Sequence, residues 1–291
     1  MEKNIIARIC RIQKEEIEGH HIYRHLGAIM KSADNAGILN EIAGHELQHY
    51  GVLKGYTGVE VKPSRLRIIA YVLMARLLGI TFSLKLMERG EHAAEETYRG
   101  IGAHVPEVEK ILRDEDAHES RLIAMIDEER LRYVGSIVLG LSDALVELTG
   151  ALAGFTFAIQ NSRTIAVLGL ITGIAATLSM AASEFLSQSH EAEASGGASA
   201  LKSSLYTGIA YIMTVTLLIS PFFLLSNPFA GLAVMLAVVV AIIASFTFYI
   251  SVAKDTPFFS GFLRMALISI SVALISFGIG WAARTYFGFE I

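Results

Sequence analysis

Met180-Ala-Ala-Ser-Glu184 and Ser142-Asp143-Ala-Leu-Val-Glu147 put carboxylates and a thioether inside segments otherwise apolar enough to cross a bilayer. An ionisable side chain at that depth costs about 3 kcal/mol or more, so it marks an ion path more readily than a packing position. Five apolar stretches hold these residues and follow them: 133–160, 164–188, 204–226, 229–252 and 261–284. Each offers about the 20 residues a spanning helix needs. Polar or proline-containing breaks separate them: Gln160-Asn-Ser-Arg163, His190 to Lys202, Asn227-Pro228 and Ala253-Lys-Asp-Thr-Pro257. The expected fold class is all-α, with a five-span membrane domain over residues 131–291.

Outward from this core the composition changes abruptly. Residues 1–132 carry 19 of the 24 Lys+Arg, 21 of the 28 Asp+Glu and eight of the nine His of the 291-residue chain. The rest keeps five basic and seven acidic side chains, so each part has a formal charge of −2 (19 minus 21, 5 minus 7). Neither part offers the basic surface that nucleic acid requires, so no nucleic-acid partner is expected. Cys10 is the only cysteine, which excludes an intrachain disulfide and any Cys-x-x-Cys metal site. Arg130, Arg132, Lys202, Lys254 and Arg264 fall on one side of the spans, with Arg163 and Arg284 on the other. The positive-inside rule then makes residues 1–130 cytoplasmic and the C-terminus external. Met1-Glu-Lys-Asn-Ile-Ile6 has no apolar run with a small-residue cleavage site, so no signal peptide is expected and the plasma membrane is the expected location.

Residues 1–130 read as a helical bundle. On the first helix Ile5, Ile9, Ile12, Gly19, Tyr23, Leu26 and Met30 form an amphipathic stripe that includes Glu16, while Glu15 and Glu18 fall off it and read as solvated. A carboxylate on a core-facing stripe must be paired or bound to a metal. A second helix, 36–55, follows Asp34-Asn35 as its cap and carries Leu39, Ile42, Glu46, His49 and Leu53 on one face. A long buried third helix is expected to run through Leu77, Ile80, Leu84, Glu88, Glu91, Glu95 and Tyr98. A fourth, after Pro106, presents Val108, Ile111, Glu115, His118, Leu122 and Met125.

The pattern repeats. Glu16 and Tyr23 precede Glu46-Leu-Gln-His49; Glu91 and Tyr98 precede Glu115-Asp-Ala-His118. Residues three apart on a helix are neighbours, so each Glu-x-x-His can give one cation an oxygen and a nitrogen. Two hairpins that each supply a lone Glu and a Glu-x-x-His make the ligand set of a di-metal carboxylate bundle. The remaining histidines, His20, His21, His25, His45 and His104, read as surface or packing residues. His92 and Glu119 adjoin the ligands and read as their supports.

In the spans, Asp143, Glu147, Gly150 and Gly154 share one face, as do Gly169, Gly173, Ala176, Met180 and Glu184. The Gly-x-x-x-Gly pairs let helices approach closely. At 1.5 Å per residue, Glu184 lies ~6 Å from the cytoplasmic end, Met180 ~12 Å, Asp143 ~15 Å and Glu147 ~21 Å. Carboxylates with one sulfur suit Fe²⁺ or Mn²⁺ better than Mg²⁺ or Ca²⁺. His190, Glu191 and Glu193 would stand at the cytoplasmic entry.

Residues 1–130 resemble the ferritin-like domain of the rubrerythrin group through Glu16, Glu46, His49, Gly90-Glu91, Glu115 and His118. That resemblance implies a di-iron site. The group's further Glu falls at Ala94 here, leaving Glu88 and Glu95 as alternatives. Residues 135–291 resemble the vacuolar iron transporter family through Ser142-Asp143, Leu178 to Ser187, and Tyr206-Thr-Gly-Ile-Ala-Tyr211 with Pro221. This implies a homodimer exchanging Fe²⁺ for protons. Glu147 and the short segment after the second span depart from that family's plant and fungal branch. The combined architecture is similar to the membrane-bound ferritin group. The expected function is export of Fe²⁺, with Mn²⁺ as a second candidate, from cytoplasm by proton antiport, the bundle capturing or sensing the ion. The alternative is a membrane-tethered ferroxidase or peroxidase, weakened because one cysteine cannot build a four-cysteine iron centre. Arg130-Leu-Arg-Tyr133 has no glycine or proline, so a stiff link between the parts is expected.

Overall fold

The computed structural model describes residues 3–124, 133–195 and 199–287, excepting the side chains of 3, 91–96, 123–124, 191–195 and 287. The chain divides into two compact units, Met1–Glu128 and Glu129–Ile291, and the described residues are almost entirely helical. The expected link, Arg130 to Arg132, lies outside the described residues.

The first unit is built from α1 (Lys3–Ile29), α2 (Ala33–Thr57), α3 (Arg65–Leu78), α4 (Ile80–Ile101) and α5 (Val108–Ala124). Ser32, not Asp34-Asn35, caps α2, its hydroxyl accepting from the Asn35 N–H at 3.3 Å. Gly58, at φ +64°, ends that helix in the left-handed region open to glycine. The long third helix expected from the sequence is broken. Gly79 adopts φ +106° and ψ 151°, which separates α3 from α4. Nor is α3 buried: Leu66, Ile69, Leu73 and Leu77 all face outward. Glu18 corrects a second expectation. It is buried, accepts from the Ser64 N–H at 2.8 Å and pairs with Arg67 at 2.9 Å, so it anchors the start of α3.

Two apolar layers hold the unit together. One gathers Ile22, Tyr23, Leu26, Leu39, Ile42, Leu84, Met87 and Leu122; the other Ile9, Ile12, Leu53, Tyr98, Ile101, Val108 and Ile111. Burying each such aliphatic side chain contributes about 1.5–3 kcal/mol. α1, α2, α4 and α5 each pass from one layer to the other. The segments between them are where the stripe acids lie.

The second unit holds α6 (Val134–Ile159), α7 (Ser162–Ser195), α8 (Ala200–Leu224), α9 (Pro228–Ala253) and α10 (Phe258–Phe287). All five are long and apolar enough to cross a membrane, which makes this a multi-pass membrane protein. Their shared core includes Leu145, Leu148, Leu152, Tyr211, Val215, Ile219, Met235 and Val239. Ile171, Leu178, Leu205, Leu274 and Ile279 point outward instead, as lipid rather than water demands. α7 continues as helix to Ser195, past the expected break at His190. Pro221 inside α8 cannot donate to the Leu217 carbonyl, and the Ser220 hydroxyl does so instead at 2.9 Å.

The glycines serve packing. A Cβ on Gly150 or Gly154 would meet Ser276 of α10, and one on Gly173 would meet Val215 of α8. At Gly140 it would stand 2.5 Å from the Thr207 carbonyl, and at Gly280 it would collide with the Gly154 carbonyl. Gly278 faces open space. Gly280→Val is therefore expected to cost about 1–3 kcal/mol of stability through overpacking, and Gly278→Val to cost little. Thermal unfolding of the detergent-solubilised variants checks this; equal losses would contradict it.

Candidate functional site

Between the two apolar layers of the first unit lies a belt of polar side chains. Glu16 on α1, Glu46 and His49 on α2, and Glu115 on α5 each offer one ligand atom, all within 4.8 Å of one another. His49 Nδ1 stands 3.3 Å from Glu16 Oε2 and 3.3 Å from Glu115 Oε1. His118 Nδ1 stands 3.4 Å from Glu46 Oε1 and 3.5 Å from Glu115 Oε2. The two oxygens of Glu115 therefore face two different imidazoles. This divides the belt into two positions joined by one carboxylate.

The fit to metal is a matter of distance and of hydrogen bonding. Two atoms each about 2.1 Å from a shared ion lie about 3.0–3.5 Å apart, the range seen here. Glu16 Oε2, His49 Nδ1, Glu115 Oε1 and His118 Nδ1 are buried atoms with no hydrogen-bond partner. Buried polar atoms are rarely left so; three of these meet at His49 Nδ1 and His118 Nδ1 faces the other Glu115 oxygen, an arrangement that could hold a cation. A side chain larger than hydrogen at position 19 would press on this group, since a Cβ there would lie 3.0 Å from Glu46 Oε2. Gly19, read from the sequence only as part of a stripe, makes room for that carboxylate.

The outer nitrogen of each imidazole is also fixed. His49 Nε2 lies 3.2 Å from Asp114 Oδ2, and His118 Nε2 lies 2.9 Å from His45 Nδ1. Such partners hold each ring in one orientation and leave its Nδ1 facing the carboxylates of the belt. Asp114 and His45 each stand one residue before the Glu of a Glu-x-x-His, and each holds the imidazole of the other hairpin. The expectation that His45 only packs is thereby corrected. The signal was present in the repeat, but helical periodicity locates a face and not the residue across from it. His20 does have a structural role, its Nδ1 lying 2.6 Å from the Ala43 carbonyl. Tyr98, buried in the second apolar layer, reaches the belt with its hydroxyl and donates to Glu16 Oε1 at 2.6 Å. Burial and the Glu16 charge push its hydroxyl well above the ordinary range, so it stays a donor.

Of the other predicted ligands, Glu88 on α4 is buried but does not join the group of Glu16, Glu46, His49 and Glu115. The side chains of Glu91 and Glu95 lie outside the described residues, as do those of His92, Glu191 and Glu193. His190 is exposed on α7.

In the second unit Glu184 is buried on α7 and accepts from the Ser136 hydroxyl of α6 at 2.7 Å. The Ser136 carbonyl in turn accepts from Thr207 Oγ1 of α8 at 3.0 Å. Glu147 of α6 accepts from the Tyr211 hydroxyl of α8 at 2.8 Å. Asp143, one turn before Glu147, is half-buried, and Met180 packs against the apolar core of the spans. The extension of α7 sets the candidate span's end at His190, six residues beyond Glu184, which deepens that acid to ~9 Å. Ser136 and Tyr211 were not singled out from the sequence as partners of these acids. A tyrosine buried in mid-span must place its hydroxyl on something, and that was the available signal.

Charge in the belt has a testable consequence. Burial disfavours the charged form of His49, but the Glu115 and Glu16 carboxylates outweigh it and hold the imidazole up at about 10. Burial likewise works against ionised Glu115, and His118 and His49 hold its carboxyl below the usual range. For metal-free protein the His49 pairing thus stabilises the fold fully below about pH 6.5 and loses effect as pH rises toward 10. A cation at Nδ1 must displace that proton. Uptake of Fe²⁺ or Mn²⁺ at neutral pH is therefore expected to release protons, and His49→Gln to reduce the release by about one per chain. A pH-indicator dye in weak buffer measures it; an unchanged count would contradict the assignment.

Comparison with known proteins bears on the second unit. Residues 134–199, which span the whole of α6 and α7 and the acids on both, match the model of the VIT family. No curated protein matches the chain.

Proposed function

We propose that the protein is a membrane transporter of divalent metal, with Fe²⁺ as the principal cargo and Mn²⁺ the second, supplied by a ferritin-like di-metal bundle. The observation that carries this is Glu184. It is a buried carboxylate on a candidate membrane span, within a segment similar to the VIT family. Lipid gives such a group no water to ionise into, so its retention there needs a use.

In the bundle, Glu16, His49 and Glu115 would hold one ion, and Glu46, His118 and Glu115 a second, with a carboxylate of α4 completing the set. Glu91 is the α4 residue that the repeat equates with Glu16. Ions bound there supply charge neutralisation and, for iron, redox chemistry. The chain's own residues do the remainder: Gly19 leaves space for Glu46, Asp114 and His45 fix the two rings, and Tyr98 steadies Glu16. The entry residues His190, Glu191 and Glu193 pass cargo to Glu184, and Asp143, Met180 and Glu147 carry it onward. Each carboxylate must lose a proton to take metal and can regain one when metal leaves, which is the physical basis for proton antiport. A homodimer in the plasma membrane, bundle inward, completes the reading.

A second reading, a ferroxidase step before export, is favoured by Glu115 alone, because a carboxylate shared by two positions lets two ions act together. Oxygen uptake by the full chain on Fe²⁺ addition separates it from simple capture.

The transport reading makes a direct prediction. In proteoliposomes with a pH gradient, Asp143→Ala and Glu184→Gln are expected to cut Fe²⁺ flux to the level of empty vesicles, while metal bound by the bundle is unchanged. Flux at the unsubstituted rate in both variants would contradict the path.

A further inference from the structure

The first unit carries a surface that neither the metal belt nor the spans account for. α3 is packed through Ala75, Ile68 and Tyr71, and Ser83 Oγ of α4 donates to the Tyr71 carbonyl at 3.1 Å. Its opposite side is apolar and solvent-facing. Leu66, Ile69, Leu73 and Leu77 are 81, 61, 52 and 65 % exposed. At 3.6 residues per turn these four lie within an arc of about 80°. Four large aliphatics in one narrow stripe are unlike singly scattered surface residues and mark a contact face.

The flanking charge identifies the partner. Residues 61–87 contain no acid, although residues 1–132 together have two more acids than bases. Arg67 is engaged by Glu18 at 2.9 Å, while Lys62, Arg65 and Arg76 are exposed. On the helical wheel Arg65 and Arg76 border the same edge of the apolar stripe. A helix with an apolar face, a basic border and no acid has the composition of a segment lying in a membrane interface. Its arginines reach lipid phosphate while its leucines enter the acyl boundary. A second copy of the chain fits less well. An antiparallel pairing of two α3 faces brings the arginine edges together with no acid on the helix to neutralise them, and a parallel pairing gives those arginines no acid to meet either.

We propose that α3 is an in-plane anchor that seats on anionic lipid. The chain's own spans keep lipid at high effective concentration, so a single short helix suffices where it would not hold a free protein. Exposed Leu73 and Leu77 then have a physical purpose, and the break at Gly79 lets α3 depart from the axis of α4.

The test uses full-length protein in a Cys10→Ser background, with one cysteine at position 69 or 73 carrying an environment-sensitive fluorophore. A label at Leu47 on α2, an exposed apolar residue outside this face, serves as control. The protein is reconstituted into vesicles of phosphatidylcholine, alone or mixed equally with phosphatidylglycerol, containing bromine-labelled acyl chains. Labels at Ile69 and Leu73 are expected to shift to the blue and to be quenched several-fold more than the Leu47 label in the anionic vesicles. Arg65→Glu with Arg76→Glu should abolish that difference with helix content unchanged by circular dichroism. Quenching at Ile69 no greater than at Leu47 overturns the proposal. So does a blue shift that depends on the number of copies per vesicle and not on the lipid quencher, which would assign the face to a second copy.

Discussion

The first unit depends on one electrostatic constraint: three carboxylates, Glu16, Glu46 and Glu115, converge between two apolar layers. At the separations observed, up to 4.8 Å, each ionised pair repels by about 3 kcal/mol or more at an effective dielectric of ~20. His49, held protonated by Glu115 and Glu16, and His118, beside Glu46 and Glu115, offset part of this repulsion. Under the proposed function a bound metal cation would supply the remaining positive charge. The surrounding details follow. Glycine stands at 19 because Glu46 needs the space, and Asp114 and His45 sit outside the belt because the rings must not turn.

The spans meet a related constraint with different means. Their acids are not clustered with imidazoles but held singly by hydroxyls, Glu184 by Ser136 and Glu147 by Tyr211. A neutral donor stabilises a carboxylate without binding it as tightly as a counter-charge would, which is what the proposed exchange of proton for metal requires. Tight packing supports this arrangement. The contacts of Gly140, Gly154, Gly173 and Gly280 bring backbone close to its neighbours, so the hydroxyl donors of α6 and α8 reach across.

Much of this was legible from residue spacing. The stripes through Ile12 and Glu16, Ile42 and Glu46, and Ile111 and Glu115 announce helices whose acids face inward, and the five apolar runs correspond to α6–α10 within a few residues except at the end of α7, which runs on to Ser195. What periodicity does not carry is the identity of a partner on another helix. Glu18 read as solvated because Arg67, far away in sequence, is what buries it. His45 read as packing for the same reason, its partner His118 lying 73 residues away. The apolar run Ile68 to Met74 suggested a buried helix, whereas Gly79 interrupts it and leaves one side exposed. A local backbone break of this kind needs only one residue and leaves the hydrophobic pattern intact. The acids of α4 at 91 and 95 lie outside the described side chains, so the sequence repeat remains the basis for assigning Glu91.

The central claim is that the belt holds two metal ions joined by Glu115. The most direct measurement is the metal content per chain of the purified full-length protein after loading with Fe²⁺ without oxygen, by elemental analysis. The account predicts two ions bound by the belt, one lost in Glu16→Ala and both lost in Glu115→Ala, with the span acids intact throughout. Equal metal content in the unsubstituted protein and Glu115→Ala would contradict it.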